Sequence, residues 1–148
     1  MTKRLMSDEI EKMALEIVDF LIKYRLWVDV SIFFNGKEYT TEDPATGKFF
    51  YNDKNHLIVI DNVKLDDFVE DMVEVNPDHI LSMSFDSRLY EVLNYSLYEI
   101  DDGQLKAFHE RDEYVYKIQE EFRAIFEKYG VYFLQWKTWN LTCYYENN

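Results

Sequence analysis

Apolar residues recur every three or four positions near the start of the chain, which is the spacing of one face of an α-helix. The repeating residues are Ile10, Met13, Ile17, Leu21 and Tyr24. Ser7 precedes them as an N-cap candidate, and Asp8 and Glu9 follow in the first turn, where acidic side chains are favourable. The pattern predicts a first helix that ends near Arg25.

The pattern then changes to strict alternation, which is typical of a half-buried β-strand. The alternating apolar residues are Val28, Val30, Ile32 and Phe34. Asn35-Gly36 is a dipeptide that two-residue hairpin turns favour, so the strand Trp27–Phe34 is expected to return as Glu38–Thr41. Two further β-rich runs, Lys48–Tyr51 and His56–Ile60, follow a turn. We therefore predict a four-stranded meander.

The stretch Leu65–Asp78, which reads LDDFVEDMVEVNPD, contains six acids and no base, and we call it the acidic segment. A helix from about Lys64 to Glu74 would place these acids on one face and apolar side chains on the other. Asn76-Pro77 would end this helix, because the residue before proline disfavours the α conformation. The pattern predicts an amphipathic helix with a wholly negative face, whose apolar face packs on the sheet.

The rest of the chain predicts two more helices and a closing hairpin. Ile80–Phe85 reads as a strand, and Ser87–Asn94 is ambiguous between a short helix and an extended run, with a helix favoured. A long helical pattern then runs to a glycine where a left-handed cap is expected; its apolar residues are Val115, Ile118, Phe122, Ile125, Phe126 and Tyr129, before Gly130. The aromatic-rich runs Val131–Trp136 and Asn140–Tyr145 predict the closing hairpin.

Taken together, these elements predict an α+β fold. We expect an antiparallel sheet of about five to seven strands, with two long helices and one or two short ones packed on one face. No Pro/Ser-rich linker interrupts the 148 residues, so the whole chain, 1–148, is expected to be a single domain.

Composition places the chain among soluble proteins with a real hydrophobic core. It is 47% hydrophobic and 18% aromatic, and no uninterrupted apolar run approaches the roughly 18 residues that a membrane span needs. Its single cysteine, Cys143, has no internal disulfide partner, and acids follow the N-terminus before any apolar signal region. We therefore expect a cytoplasmic protein.

The net charge of −13 restricts the possible partners. Twelve acids and two bases lie between Asp61 and Asp102, so this stretch alone carries −10. Such a charge repels DNA, RNA and anionic membranes, and it steers the protein towards basic surfaces. We expect no direct binding to nucleic acid or membrane, and a partner that is a basic nucleic-acid-binding protein or a nuclease complex.

Motifs for catalysis or metal binding are lacking. The histidines His56, His79 and His109 are far apart and have no metal-ligand spacing, so structural roles are favoured. Cys143 has no neighbouring CxxC or basic group, and it reads as a small apolar strand residue. Carboxylate pairs are plentiful, but acids on an exposed helix face diverge into solvent, whereas hydrolytic or metal chemistry needs them to converge. We therefore predict no enzymatic activity, no catalytic residues, no metal and no cofactor.

The acids themselves are the predicted partner-binding residues. Successive turns of an acidic helix place carboxylates about 6 Å apart, which is comparable to the spacing of phosphates along one nucleic-acid strand. Like charges three and four residues apart destabilise such a helix by about 0.2–0.5 kcal/mol per pair, so the arrangement is costly to the fold. The predicted residues are Asp66, Asp67, Glu70, Asp71, Glu74, Asp78, Asp101 and Asp102.

In charge and size, the chain resembles the small acidic anti-defence proteins of phages and conjugative elements, namely anti-CRISPR and antirestriction inhibitors. The features behind the resemblance are the acidic segment, Asp101-Asp102 and the Tyr/Trp-rich ends. It implies a binding inhibitor that imitates nucleic acid and occludes a nuclease complex. Two alternatives stay open: an immunity protein that neutralises a basic nuclease toxin, and an acidic regulatory or interaction domain whose charge only confers solubility.

Overall fold

A computed structural model describes residues 4–63, 79–95 and 105–146. Its α-helices are α1 (Ser7–Lys23), α2 (Ser87–Leu93) and α3 (Leu105–Lys128). Its strands are β1 (Val30–Phe34), β2 (Lys37–Thr40), β3 (Ile58–Ile60), β4 (Ser82–Phe85), β5 (Val131–Leu134) and β6 (Asn140–Tyr145). A 3₁₀ turn at Lys54–His56 precedes β3. The predicted helix in the acidic segment lies outside the described residues.

The six strands form one antiparallel sheet in the order β3-β2-β1-β4-β6-β5. Ile32, Met83 and Leu141 are register partners across the three central strands, and all three are fully buried. Because side chains alternate between the two faces of a strand, these three residues lie on one face of the sheet. On that face they form one core with the buried residues of α1 and α3. The predicted α+β fold, with two long helices and one short one against an antiparallel sheet, is confirmed for the described residues.

Local sequence explains the first helix and hairpin. The predicted apolar stripe of α1 is buried from Ile10 to Leu21. Asn35 and Gly36 both adopt positive φ, at 50° and 72°, which a two-residue turn of this hand requires. The hairpin prediction is therefore confirmed, and the return strand lies within one residue of its expected position.

The predicted four-stranded meander is wrong, because Lys48–Tyr51 contributes only an isolated bridge, Glu42 to Phe49. The backbone of this run bonds to loops instead of a ladder: Phe50 N–H donates to Thr41 O at 2.8 Å. Left-handed residues on both sides, Gly47 at φ 71° and Asn52 at φ 54°, prevent a longer extended run. The meander therefore contains only β1, β2 and β3.

Two predicted boundaries also change. The first strand begins at Val30 and not at Trp27, because Asp29 is left-handed at φ 56° and interrupts the extended run. The N-cap of α1 is Met6 and not Ser7; the Glu9 carboxylate accepts a hydrogen bond from the Met6 backbone N–H at 3.1 Å. The helical interpretation of Ser87–Asn94 is confirmed by α2, and Gly130 has the expected positive φ of 75°.

The sheet has two ends, which we name by their turns. The β1–β2 turn at Asn35-Gly36 defines the hairpin end, where β4 also begins. The β5–β6 turn, residues 135–139, defines the tryptophan end, because β6 runs antiparallel to β4 and begins where β4 ends. These two ends carry the candidate surfaces.

Candidate functional site

The eight predicted partner-binding acids lie in residues 64–78 and 96–104, outside the described part of the chain. They are Asp66, Asp67, Glu70, Asp71, Glu74, Asp78, Asp101 and Asp102. Their role therefore stays a prediction. The described residues that flank these two stretches establish where each one joins the fold.

The two flanks of residues 64–78 meet at the hairpin end of the sheet. Val63 N–H donates to Gly36 O at 2.8 Å, so the chain leaves β3 against the β1–β2 turn. His79, where the described chain resumes, lines the same cavity of about 220 Å³ as Val63, Gly36 and Lys37. The stretch that carries six of the predicted acids thus leaves and rejoins the sheet at one place.

His79 anchors the returning flank. Its Nε2 lies 2.7 Å from Ser82 Oγ, which in turn lies 3.1 Å from Thr142 Oγ1 on β6. Burial lowers the pKa of His79 to about 4, since the charged imidazolium is disfavoured away from water. The imidazole is therefore neutral at neutral pH. Ser82 is fully buried, so its hydroxyl is not accessible from solvent.

The flank of residues 96–104 lies at the other end of the sheet. The Nδ2 of Asn94, at the end of α2, donates to Thr138 O in the β5–β6 turn at 2.7 Å. Gln135 Nε2 lies 3.3 Å from Asn94 Oδ1, which adds a second link between α2 and this turn. The two acid-rich stretches thus join the described fold at opposite ends.

The tryptophan end carries the exposed aromatic side chains. Trp136 and Trp139 are each 38% exposed and line a shallow cleft of about 470 Å³. Trp136 Nε1 donates to Tyr144 OH at 2.7 Å, and the Tyr132 and Tyr144 rings lie 5.8 Å apart. The aromatic side chains of the closing hairpin are therefore divided between the two faces of the sheet, since Phe133 packs against Phe126 on the helix side.

Tyrosine–carboxylate pairs, which the sequence pattern did not reveal, fix α1 to α3. Tyr129 OH donates to Glu16 Oε1 at 2.6 Å, Lys128 Nζ donates to the other Glu16 oxygen at 2.5 Å, and Tyr24 OH donates to Glu121. Burial alone would raise the pKa of Glu16, but the hydrogen bonds from Lys128 and Tyr129 hold it below its ordinary value. These contacts join residues more than 90 positions apart, so no local sequence pattern predicts them.

Groups with chemical reactivity are sparse in the described residues. No cluster of three or more metal-ligating side chains occurs among them, and none of their helices is long and apolar enough to cross a membrane. Cys143 is buried in β6, and burial raises the pKa of its thiol. His56 stacks on Phe50 and bonds to Asp53, which is a local structural contact.

Comparison with known proteins adds no relative: no protein-family model, no characterised protein and no solved structure matches the chain.

Proposed function

We propose that the chain is a non-enzymatic binding inhibitor that presents nucleic-acid-like acids to a basic nucleic-acid-handling protein, as anti-CRISPR and antirestriction inhibitors do. The observation that carries the proposal is the distribution of charge. Residues 64–78 and 96–104 together hold nine acids and one base, so these 24 residues carry −8 of the net −13. Net negative charge is therefore denser in these two stretches than in the rest of the chain.

The described part of the fold uses charge differently. Its side chains, in residues 4–63, 79–95 and 113–146, include eighteen acids and twelve bases. Several bases pair with helix acids: Lys54 Nζ lies 2.7 Å from Asp19 and Lys128 Nζ lies 2.5 Å from Glu16. Exposed pairs of this kind add little stability, but they offset part of the negative charge of the described fold, which carries −6. The attraction to a basic partner therefore originates mainly from the two acid-rich stretches.

The way in which the flanks of the acidic segment join the sheet supports its proposed role as a binding surface. Val63 is bonded to the β1–β2 turn and His79 is held by the buried Ser82, so both flanks are tied to central strands of the sheet. A stretch with both ends fixed loses less conformational freedom on binding than a tail fixed at one end. Such preorganisation favours the imitation of a regularly spaced phosphate backbone.

The test compares two variants with the same charge change. The five-acid variant carries Asp66→Asn, Asp67→Asn, Glu70→Gln, Asp71→Asn and Glu74→Gln. The matched control neutralises five exposed acids of the described fold away from the hairpin end, namely Glu42, Asp86, Glu91, Glu113 and Glu120. Each protein is immobilised and used to capture partners from bacterial lysate at about 0.1 M salt, where the Debye length is about 10 Å.

We expect the wild type and the control to retain a nucleic-acid enzyme that the five-acid variant loses. Duplex DNA added to the column should release that enzyme, because a mimic and the nucleic acid compete for one surface. Far-UV circular dichroism verifies that both variants fold. Equal retention by the five-acid variant, or an enzyme that binds DNA and this protein together, would contradict the proposal.

A further inference from the structure

The two edges of the sheet differ in what they offer to another strand. β3 is three residues long and Asp61 follows it directly, and short edges next to charge resist pairing. β5 is Val131–Leu134, sequence VYFL, with no charged residue and no proline. It therefore lacks the features that commonly protect an edge strand.

The register identifies the outward groups of β5. Glu146 N–H donates to Gly130 O, so Gly130 and Glu146 form a hydrogen-bonded pair in line with the β5–β6 ladder. Hydrogen-bonded and non-bonded pairs alternate along an antiparallel ladder, so the residues of β5 that bond to β6 are Tyr132 and Leu134. The N–H and C=O groups of Val131 and Phe133 therefore point away from β6. They have no backbone partner on that side among the described residues. By the same alternation, β3 directs only Val59 outwards.

Side chains along this edge are apolar and accessible. Tyr132 is 38% exposed and Leu134 is 45% exposed, and both project from the sheet face opposite the helices. Val131 and Phe133 project to the helix face, where Val131 is fully buried and the Phe133 ring lies 5.3 Å from that of Phe122. The strand is thus held firmly in place while its outer backbone and half of its side chains face solvent.

Charge at the two ends of β5 is self-complementary. Glu127 is exposed at the end of α3 just before the strand, and Lys137 is exposed in the turn just after it. Lys128, beside Glu127, is already paired with Glu16, so the negative charge of Glu127 determines the charge just before the strand. Antiparallel pairing of two identical copies brings the start of each strand to the end of the other. Glu127 of each copy then lies at the same end of the paired strands as Lys137 of the other copy.

We propose that β5 pairs antiparallel with β5 of a second copy of this chain, centred on Tyr132, to form a continuous two-fold symmetric sheet. In this register Val131 of one copy exchanges both backbone hydrogen bonds with Phe133 of the other, and the two Tyr132 side chains lie directly opposite each other on one face. A four-residue strand buries little area, so we expect a reversible dimer with a dissociation constant in about the micromolar range.

Sedimentation velocity over a range of protein concentrations tests the pairing. We expect the wild type to move from 18.0 kDa towards twice that mass as concentration rises. Tyr132→Lys should raise the dissociation constant at least about tenfold, because it places two ammonium groups directly opposite each other. Val59→Lys is the matched control, since Val59 is 46% exposed on β3, at the opposite edge of the sheet, and should leave association unchanged.

A charge exchange supplies a second, independent test. Glu127→Lys and Lys137→Glu should each weaken association about tenfold, and the double variant, whose net charge equals that of the wild type, should restore it. Hydrogen exchange should show the amides of Val131 and Phe133 gaining protection as concentration rises, while those of Tyr132 and Leu134 are protected throughout.

Several results would overturn the proposal. One is a wild type that stays monomeric at every concentration, including the case in which the edge accepts only an unrelated extended peptide. Another is a dimer that a folded Tyr132→Lys leaves intact, or single charge exchanges that the double variant fails to rescue. Any of these would place self-association elsewhere or exclude it.

Discussion

Phe122→Ala tests the central claim of the fold, which is that α3 packs on the sheet through a continuous aromatic core. Phe122 is fully buried on the inner face of α3. Its ring centroid lies 5.8 Å from that of Phe20 on α1, 5.1 Å from that of Phe126 and 5.3 Å from that of Phe133 on β5. One side chain therefore joins both long helices to an edge strand.

The expected loss follows from these contacts. A fully buried phenylalanine removes roughly 150–200 Å² of apolar surface from water, which is worth about 4–5 kcal/mol at 25 cal/mol per Å². The aromatic contacts are lost as well, while partial collapse of the cavity recovers some of the free energy, so we expect about 3–5 kcal/mol. At this chain length, that corresponds to a fall of about 10–16 °C in the melting temperature.

Urea denaturation followed by far-UV circular dichroism measures the change in the free energy of unfolding. Tyr116→Ala is the control, because Tyr116 is exposed on the same helix and should change stability by less than about 0.5 kcal/mol. If Phe122→Ala cost no more than this control, α3 would not pack on the sheet through this residue, and the arrangement of the core would be refuted.

Two further predictions concern polar contacts. His79 has a folded-state pKa of about 4 against an ordinary 6.5, so its neutral form contributes stability that is complete above pH 6.5 and lost as the pH falls to 4. Over this interval, we expect denaturant titrations to show the unfolding free energy of the wild type dropping by up to about 3 kcal/mol more than that of His79→Gln. Equal pH profiles of the two proteins would contradict the buried site. Tyr129→Phe removes the hydrogen bond to Glu16 and should cost about 1–2 kcal/mol in urea denaturation, whereas Tyr116→Phe should cost nothing measurable, and an equal effect of the two would exclude a role for the Glu16 contact.

Elements that local sequence determines were predicted well. The three- and four-residue spacing placed α1 and α3, and Asn35-Gly36 placed the first hairpin with its left-handed turn residues. The closing hairpin was also found, because its alternating aromatic runs are separated by a short turn. In each case, the interactions that form the element join residues that are near in sequence.

Long-range pairing could not be predicted in this way. β1 lies beside β4, fifty residues later, and β4 lies beside β6, nearly sixty residues later, so no turn motif connects either pair. The error at Lys48–Tyr51 has a related origin. β propensity indicated an extended run there, but ladder formation depends on a neighbouring strand, and the flanking left-handed Gly47 and Asn52 direct the chain away from one.

For the candidate site, the concentration of acids could be predicted from the sequence, whereas the place where the acidic segment joins the sheet is known only from the structure. Concentration of acids is a property of composition and can be counted directly from the chain. That both flanks of the acidic segment meet at the hairpin end depends on the sheet order, because Val63 follows the outer strand β3 while His79 precedes the central strand β4. No pattern in the sequence indicates this meeting.

The proposed dimer and the proposed inhibitor use different parts of the sheet, and this separates their tests. A two-fold axis through Tyr132 runs perpendicular to the sheet, so it points the hairpin ends of the two copies in opposite directions. Val63 and His79 lie at the hairpin end beside β1, β2 and β4, and β6 separates these strands from β5, so pairing at the edge leaves the two flanks uncovered. Tyr132→Lys should therefore weaken dimerisation without loss of the captured partner, and the five-acid variant should lose the partner and still dimerise. Loss of both properties in either variant would mean that the edge strand and the acidic segment form one interface.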